Sequence, residues 1–395
     1  MTRISTSDDG SREAAGEPDP VPDGIGHTNA SDGLLAARQG DIQTESGVCV
    51  ISTYEDAQRI LADSRIRRLL ESRPEHDPMV ANELPRFIAV ASGRRPCQAL
   101  RSELEDTARE LIHHIRDRGR ADLIDEFVSP IVYTALFTIV GIPAIQRDAI
   151  RLWCDSVPHE PEVYSAPGPH WAALRVHLDG LLHATHPTDS TDLCAQLAAA
   201  IDRGKLTVDQ AIRGAGITLI QGYPATTRLI SDLLLALLID PDKRSYLQQH
   251  PDQAPPAVEE MLRYSTPDFH AALRRTPIPI TVGALSIPAG AVIDVQLGAA
   301  NRDPAQFSQP DLVDFSRTEK HHLAFGHGHR YCPGATLARL EATIAATSLL
   351  PYLENLRLAI EPHEIRWSRT RKAMIAIIDA LPVIWTATDD DSSRP

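Results

Sequence analysis

One cysteine in the chain stands in a sequence pattern that gives its sulfur a chemical role. Cys332 ends a glycine-rich stretch and is followed at once by a helix-forming segment that begins at Ala335. The dipole and free N–H groups of a helix start favour the thiolate form of a cysteine placed there. Arg330 is in reach of an anionic group on a flat ligand held by that sulfur. The glycines that allow close approach of backbone and ligand are Gly326, Gly328 and Gly334.

The order of residues around this cysteine is similar to the haem-binding loop of the cytochrome P450 family. That loop reads Phe-x-x-Gly-x-Arg/His-x-Cys-x-Gly, and residues 325–334 match it. The resemblance implies haem b as the cofactor, with Cys332 as the axial thiolate and metal ligand on its iron, where it favours O–O cleavage. It also implies that Phe325 packs beside the sulfur and that Arg330 pairs with a haem propionate. The implied cofactor-binding residues in this loop are Phe325, Gly326, Arg330, Cys332 and Gly334.

A second motif supports the same family. Glu260 and Arg263 stand three residues apart, which puts opposite charges on one face of a helix. With Tyr264 after them, they resemble the family's buried Glu-x-x-Arg pair, a structural pair near the haem. Downstream, Arg274 matches a second propionate-binding arginine.

The resemblance is incomplete around that pair. The family normally adds a further arginine to it, and this arginine would fall at Leu312. We therefore expect an incomplete group, with Arg317 only a nearby substitute. The segment from Ala300 to Pro304 does match the family's usual sequence.

Helical periodicity dominates the chain and predicts a mainly α fold. The longest helix signal begins at Thr207, where Thr207 and Gln210 match a capping box, and runs to Asp240. Pro224 lies inside it and predicts a kink, because proline removes a hydrogen bond and collides with the carbonyl four residues back. Two helices broken by a turn are the alternative. Short alternating apolar segments after residue 278 and near the C-terminus predict small strands.

These patterns predict the cytochrome P450 fold, one large helical domain over residues 34–388 with small β-sheets at its edge. Residues 1–33 and 389–395 are rich in Asp, Ser, Gly and Pro without an apolar period, so we expect disordered acidic tails. The tails hold half of the formal net charge of −14. An acidic balance argues against binding to nucleic acid or to an anionic membrane.

The long helix departs from the family where proton delivery is expected. Aligned from its end, the family's acid and alcohol fall at Pro224 and Ala225, and neither side chain carries a proton. Thr226 is turned by about 100° around the helix and does not simply replace the alcohol. Gln221 lies four residues before Ala225 on the same face and is the best polar residue left. A proton route would then use ordered water or groups on the substrate.

The region that covers the pocket is a second departure. The family's haem-contacting helix falls near residues 81–86, where its histidine is lost and Arg86 is the expected survivor. Few residues remain for the lid before it, which predicts a wide mouth; a shifted alignment is the alternative. The expected substrate-pocket residues are Tyr223, Phe269 and His270.

Partners and location follow from the same resemblance. We expect a monomeric cytoplasmic protein, since the N-terminus lacks a signal core and no apolar run spans a membrane. The resemblance implies electrons from a ferredoxin- or flavodoxin-type donor. An acidic donor would suit the basic residues Arg86, Arg94, Arg95 and Arg101, although a plain solvated basic face is the alternative.

The departures suggest a reaction class. We expect tailoring of a bulky natural product, peptidic or carrier-bound, by oxidative aromatic coupling. A conventional O2-dependent monooxygenase acting on a secondary metabolite is the alternative, and a peroxide-driven oxidase is a third. A haem-free recruitment module that keeps only the fold is disfavoured by Cys332, Phe325 and Arg330.

Overall fold

The computed structural model describes residues 42–43, 48–68, 78–156, 168–187, 189–266, 272–369 and 375–386. The predicted tails, residues 69–77 of the predicted lid, and the pocket candidates Phe269 and His270 lie outside these ranges. Their predicted roles are not addressed by the fold.

Helices make up most of the described chain, as the periodicity predicts. They are α1 Tyr54–Ala62, α2 Pro78–Ala91, α3 Arg94–Arg118, α4 Ser129–Val140, α5 Arg147–Ser156, α6 Pro169–Leu182, α7 Leu193–Asp202, α8 Val208–Ile239, α9 Pro241–Gln249, α10 Ala254–Ser265, α11 Leu297–Ala300 and α12 Ala335–Leu349. A π-helical turn, Ile124–Val128, leads into α4. Glycines in the left-handed region end α3 and α4, Gly119 at φ 68° and Gly141 at φ 91°, as expected of C-terminal caps.

Within the described residues, the strands are short and form four small sheets. They are β1 Ile42–Gln43, β2 Cys49–Ile51, β3 Arg67–Arg68, β4 Arg120–Asp122, β5 Ala272–Arg275, β6 Ile280–Val282, β7 Leu285–Ile287, β8 Val292–Val295, β9 Leu356–Leu358, β10 Trp367–Arg369, β11 Ala376–Ile378 and β12 Pro382–Trp385. The largest sheet has the order β1-β2-β8-β5-β3, with β2 and β8 parallel and the other pairs antiparallel. A three-stranded sheet has the order β4-β12-β9, and β6-β7 and β10-β11 are hairpins.

Helix α8 is the axis of the helical core, and it is continuous through Pro224. The predicted capping box is present: the Thr207 N–H donates to Gln210 Oε1 at 2.8 Å, and the Gln210 N–H donates to Thr207 Oγ1 at 3.2 Å. By length and composition α8 could cross a membrane, but 72% of its apolar window is buried inside the protein. It is therefore the core helix of the fold.

Small residues let other helices approach α8 closely. A Cβ added at Gly216 would meet the Trp171 ring of α6 at 2.5 Å, and one added at Gly222 would meet Leu136 of α4 at 2.6 Å. A larger residue at either position would therefore force the neighbouring side chain to shift. A second, smaller core lies under the five-stranded sheet and α1, and the loop before α12 adds Leu323 to it.

Candidate active site

The glycine-rich loop folds back on itself and leads into α12. The Cys332 N–H donates to the Phe325 carbonyl at 2.9 Å, and the Ala335 N–H donates to the Cys332 carbonyl at 3.3 Å. Gly326 and Gly328 have φ of 74° and 71°, which a residue with a Cβ adopts only with strain. The sulfur is thus fixed at the start of a helix, as the sequence predicts.

Exposure separates Cys332 from the other cysteines. All five are free thiols, but only Cys332 is partly exposed, and the other four are buried. Burial raises the pKa of Cys97 to about 11 and those of Cys154 and Cys194 to about 12. A Cβ added at Gly334 would lie 3.9 Å from the Cys332 sulfur, so the glycine keeps the approach to it open. Cys332 alone is placed to bind a ligand.

Three polar side chains that the sequence did not single out support the ring of Phe325, the residue whose carbonyl accepts the Cys332 N–H. Arg339 of α12 lies over the Phe325 ring, 4.6 Å from its centroid. Its guanidinium also donates to both carboxylate oxygens of Glu259, at 2.6 and 2.9 Å. His322 Nε2 lies 3.2 Å from the same carboxylate. Glu259 of α10 therefore holds two groups that pack on Phe325.

The protonation of this cluster follows from its contacts. The Ala324 N–H donates to His322 Nδ1 at 3.2 Å, so the ring proton belongs on Nε2, facing Glu259. Burial alone would raise the pKa of Glu259, but hydrogen bonds from Arg339 and His322 outweigh it and lower the pKa to about 2. Glu259 is thus ionised throughout the working pH range. In the sequence, the available indication of a role for Glu259 was its position directly before Glu260.

The buried Glu-x-x-Arg group is complete, which corrects the expectation drawn from Leu312. Arg263 donates to both oxygens of Glu260 at 2.8 Å, and Arg317 Nε donates to Glu260 Oε2 at 3.0 Å. The Leu312 carbonyl accepts from both arginines, at 3.0 and 3.2 Å. Arg317 thus supplies from five residues further on the charge that the family's usual position lacks. All three charged side chains are buried.

The middle of α8 is less buried than the residues directly before and after it. The residues on either side, Ile220 and Thr226, are buried, but Gln221 is exposed, and Pro224 and Ala225 are half-buried. Partial exposure in the centre of the core helix indicates that this face of α8 borders space that no other element fills. Gln221 supplies the polar group on this face, while Pro224 and Ala225 supply neither an acid nor a hydroxyl. The middle of α8 thus lacks the family's acid and alcohol, as the sequence predicts.

Unlike Gln221, Thr226 and Tyr223 both pack against neighbouring helices. Thr226 is buried against α12, where its hydroxyl approaches Glu341. The Tyr223 ring stacks on Tyr133 of α4 with centroids 4.5 Å apart, and its hydroxyl lies 2.7 Å from Ser129 Oγ. The expectation of Tyr223 as a pocket residue is corrected, because two positions beyond Gln221 the helix has turned it toward α4.

The predicted arginines occupy different settings. Arg274 is a buried residue of β5, 6% exposed, and Arg330 is half-buried in the loop. Arg86 is exposed on α2, and its guanidinium donates to Glu83 Oε1 at 2.8 Å. The contact of Arg86 with haem stays a prediction.

The residues present fit a haem group with a thiolate ligand. An accessible sulfur at a helix start, glycines around it and an aromatic residue, Phe325, hydrogen-bonded to Cys332 through the backbone suit a flat macrocycle bound to iron. Within the described ranges, no group of three His, Cys, Asp or Glu side chains could hold a metal ion. Iron bound to Cys332 would therefore take its other ligands from the macrocycle.

Comparison with known proteins agrees with this geometry. A family model described as cytochrome P450 matches residues 254–378. The cytochrome P450 monooxygenase PikC of Streptomyces venezuelae is 31% identical over 367 residues, 87% of each chain. The chain belongs to the cytochrome P450 family. Haem b is thus its cofactor, bound through an axial cysteine, and the enzyme is an oxidoreductase.

Two solved structures of related P450s show the same fold over nearly the whole described chain. The proposed thioether synthase SgvP, involved in a tailoring step of griseoviridin, has a TM-score of 0.77 at 29% identity, covering 87% of this chain and 92% of that one. P450BioI, solved in complex with a fatty-acid-ligated acyl carrier protein, has a TM-score of 0.79 at 26% identity, covering 90% and 98%.

Proposed function

We propose that this P450 tailors a bulky natural product, peptidic or carrier-bound, by joining two of its aromatic rings. The observation that carries the proposal is the wall of α8 at Pro224 and Ala225, which have neither an acid nor a hydroxyl, while the hydroxyl of the neighbouring Tyr223 lies against Ser129. Phenol groups on the substrate would supply acidic protons that this wall lacks. In the balanced reaction, the substrate loses two hydrogen atoms, and O2 takes these together with two electrons and two protons to give two waters.

The bound haem supplies the activation of O2. The residues of this chain would hold it and shape its surroundings: Cys332 would bind the iron, and the Phe325 ring, held by Arg339, would pack beside the sulfur. Arg274 and Arg330 would bind the two carboxylates of the macrocycle as charge-assisted pairs. Gln221 would orient the substrate or a water through its amide.

Two relatives support the choice of substrate and reaction. The name of SgvP describes a bond-forming synthase in the tailoring of a natural product. P450BioI was solved with its fatty acid on an acyl carrier protein, so this fold accepts a carrier-bound substrate. Neither fixes the substrate of this chain.

Mass spectrometry of the product tests the proposal. Incubation with phenolic peptides, free and carrier-bound, together with O2 and an electron donor should give a product lighter than the substrate by two hydrogens. The candidates are first selected by titration against the haem absorption band. A product that gains one oxygen, with no dehydrogenated species, would reject coupling.

A conventional monooxygenase is the second candidate, and the likeness to the monooxygenase PikC favours it. In that reaction one oxygen atom of O2 enters the substrate and the other leaves as water, after uptake of two electrons and two protons. The oxygen-gain product described above would support it. A peroxide-driven oxidase predicts turnover with hydrogen peroxide alone, so a strict need for O2 and a reductase would exclude it.

The electron donor is proposed to be an acidic ferredoxin or flavodoxin that docks at the start of α3. Ser92, at the α2–α3 junction, donates through Oγ to the Pro333 carbonyl at 2.9 Å, next to Cys332. Arg94 and Arg95 follow and are exposed. Reversing both charges (Arg94→Glu, Arg95→Glu) should slow reduction of the haem and weaken its salt dependence, whereas Arg109→Glu, further along α3, should not. Unchanged reduction in the double variant would exclude docking there.

A further inference from the structure

A buried ion pair on α8 lies just beyond the half-buried stretch that contains Pro224 and Ala225. Arg228 Nε donates to Asp232 Oδ2 at 2.5 Å, and the two side chains are 5% and 0% exposed. Ser265, the last residue of α10, donates through Oγ to the same carboxylate oxygen. Taking two charges out of water is costly unless further contacts offset the cost. The further contacts of this pair therefore indicate what it stabilises.

Both members of the pair are charged at neutral pH. Burial raises the pKa of Asp232 to about 6, and the neighbouring Arg228 keeps it from rising further. The guanidinium is thus the counter-charge that holds the carboxylate in its ionised form. The carboxylate in turn fixes the direction in which the guanidinium points.

Arg228 also contacts both strands of the β10–β11 hairpin. Its Nη1 donates to the Ala376 carbonyl of β11 at 2.6 Å, and its Cζ lies 4.2 Å from the centroid of the Trp367 ring of β10. Trp367 pairs with Ile378, and Arg369 pairs with Ala376, so the two contacts lie at opposite ends of the strand ladder. One side chain therefore restricts both sliding and tilting of the hairpin against α8.

The face of α8 that bears Arg228 is the one that borders unfilled space earlier in the helix. Arg228 stands seven positions after Gln221, a turn of about 700°, which leaves the two side chains within about 20° of one another around the helix. Gln221 is exposed, whereas every residue from Thr226 to Leu237 is buried. The hairpin thus meets α8 where this face becomes buried, and it forms one end of the space beside the middle of α8.

We propose that Arg228 is a positioning residue that fixes the β10–β11 hairpin at the end of the cleft and so limits the size of ligand that the cleft admits. Because Arg228 is buried, it acts through the hairpin and not by touching the ligand. A ligand too large for the cleft has to displace the hairpin, and the charge-assisted bond to the Ala376 carbonyl opposes this displacement. The limit would apply to coupling and to monooxygenation alike, because it acts on the fit of the ligand and not on the chemistry.

Azole binding tests this limit without turnover, because the azole nitrogen binds the haem iron and shifts the haem absorption band. The two probes are imidazole, which is small, and 1-tritylimidazole, which is bulky. In the full-length holoprotein, Arg228→Met combined with Asp232→Leu removes both charges and keeps apolar side chains in their place.

The double variant should bind the bulky probe more tightly. Its Kd for 1-tritylimidazole should fall about 10-fold, because displacement of the hairpin no longer breaks a hydrogen bond to a charged group, while the Kd for imidazole should change less than about 2-fold. A ratio of the two Kd values equal to that of the wild type, or shifted in favour of imidazole, would overturn the proposal.

The matched control is Arg213→Met combined with Asp209→Leu near the start of α8. This pair has the same spacing and the same bond from Nε to Oδ2, at 2.7 Å, but it is exposed and lies about 22 Å earlier along the helix axis. Both Kd values should stay at the wild-type level. Equal changes in the control would mean that any loosening of α8 admits the bulky azole, and they would overturn the role of Arg228.

Hydrogen–deuterium exchange measures the hairpin directly. In the double variant at Arg228 and Asp232, the amides of Trp367–Arg369 and Ala376–Ile378 should exchange about 10-fold faster, while those of the β6–β7 hairpin keep the wild-type rate. Asp232→Asn keeps the shape and the acceptor for Ser265 but removes the counter-charge, so it should change the hairpin in the same direction by a smaller factor. It serves as the test if the double variant fails to bind haem. Wild-type exchange of β10 and β11 in these variants would overturn the proposal.

Discussion

The two walls of the haem cleft are built in opposite ways. On the thiolate side, each element near Cys332 is held by charged or polar contacts, such as the bidentate pair of Arg339 with Glu259. On the α8 side, Tyr223 is turned toward α4, and the wall keeps Gln221 as its polar side chain next to an interior proline. The difference indicates that this chain keeps the cofactor support of its family but has altered the side that meets oxygen and substrate.

The largest expected effect is on the thiolate itself. Cys332→Ser should abolish the thiolate-type absorption of the carbon monoxide complex and all turnover, because a hydroxyl does not provide the thiolate donor to iron. The spectrum of the reduced protein with carbon monoxide measures this. Cys194→Ala, which removes a buried thiol elsewhere, should keep the spectrum. A normal spectrum in Cys332→Ser would mean that another residue binds the haem iron.

The buried Glu260 group should give the largest change in stability. Glu260→Gln leaves Arg263 and Arg317 without their shared counter-charge, at a cost of about 3–5 kcal/mol in the free energy of unfolding. Denaturant titration of the holoprotein measures the change. The exposed pair of Glu83 with Arg86 provides the control, since Glu83→Gln should cost less than about 1 kcal/mol. If Glu260→Gln and Glu83→Gln lowered the free energy of unfolding equally, the buried Glu260 group would not support the thiolate side.

Glu259 should add a stability that depends on pH. Although burial acts in the other direction, its pKa falls from 4.5 to about 2 in the folded protein, because Arg339 and His322 donate hydrogen bonds to it. The ionised Glu259 therefore stabilises the fold above pH 4.5, and this stabilisation is lost as the pH falls toward 2. The shift corresponds to about 3 kcal/mol in the free energy of unfolding. The difference between wild type and Glu259→Gln should be near this value at pH 6 and shrink below pH 4. A difference that stays constant with pH would exclude the ionised pair as its source.

The smallest effect is expected on the α8 side, at Tyr223. Tyr223→Phe removes the hydrogen bond to Ser129 and should cost about 1 kcal/mol in stability. Because the ring lies against α4, the product ratio and the KM for substrate should not change. Gln221→Leu, on the exposed face of the same helix, should raise the KM. A changed product ratio in Tyr223→Phe would mean that Tyr223 does line the substrate pocket.

Local patterns predicted the fold and the thiolate loop well. The capping box of Thr207 and Gln210, the terminal glycine Gly119 and the position of Cys332 at a helix start each depend on residues near one another in sequence. Short-range backbone geometry decides all three.

Contacts between distant segments were not predictable in the same way. Arg317 reaches Glu260 across 57 positions, and Arg339 reaches Glu259 across 80. Nothing in local spacing indicates such pairs. Glu341 did leave a signal, since it stands among the buried residues Leu337 and Ala345 on one face of α12. A charged residue within an apolar stripe indicates a buried acid even before the fold is known.

The hydrogen bond from Ser92 to the Pro333 carbonyl has a consequence for electron entry. From Gly93 on the surface to the Cys332 sulfur, the path runs through covalent bonds and this single 2.9 Å contact, with no jump through open space. An electron that arrives at the start of α3 would therefore tunnel along a short bonded route to the iron. Ser92→Ala would leave the charges of the surface intact yet lengthen that route, so docking and electron transfer can be varied independently in this enzyme.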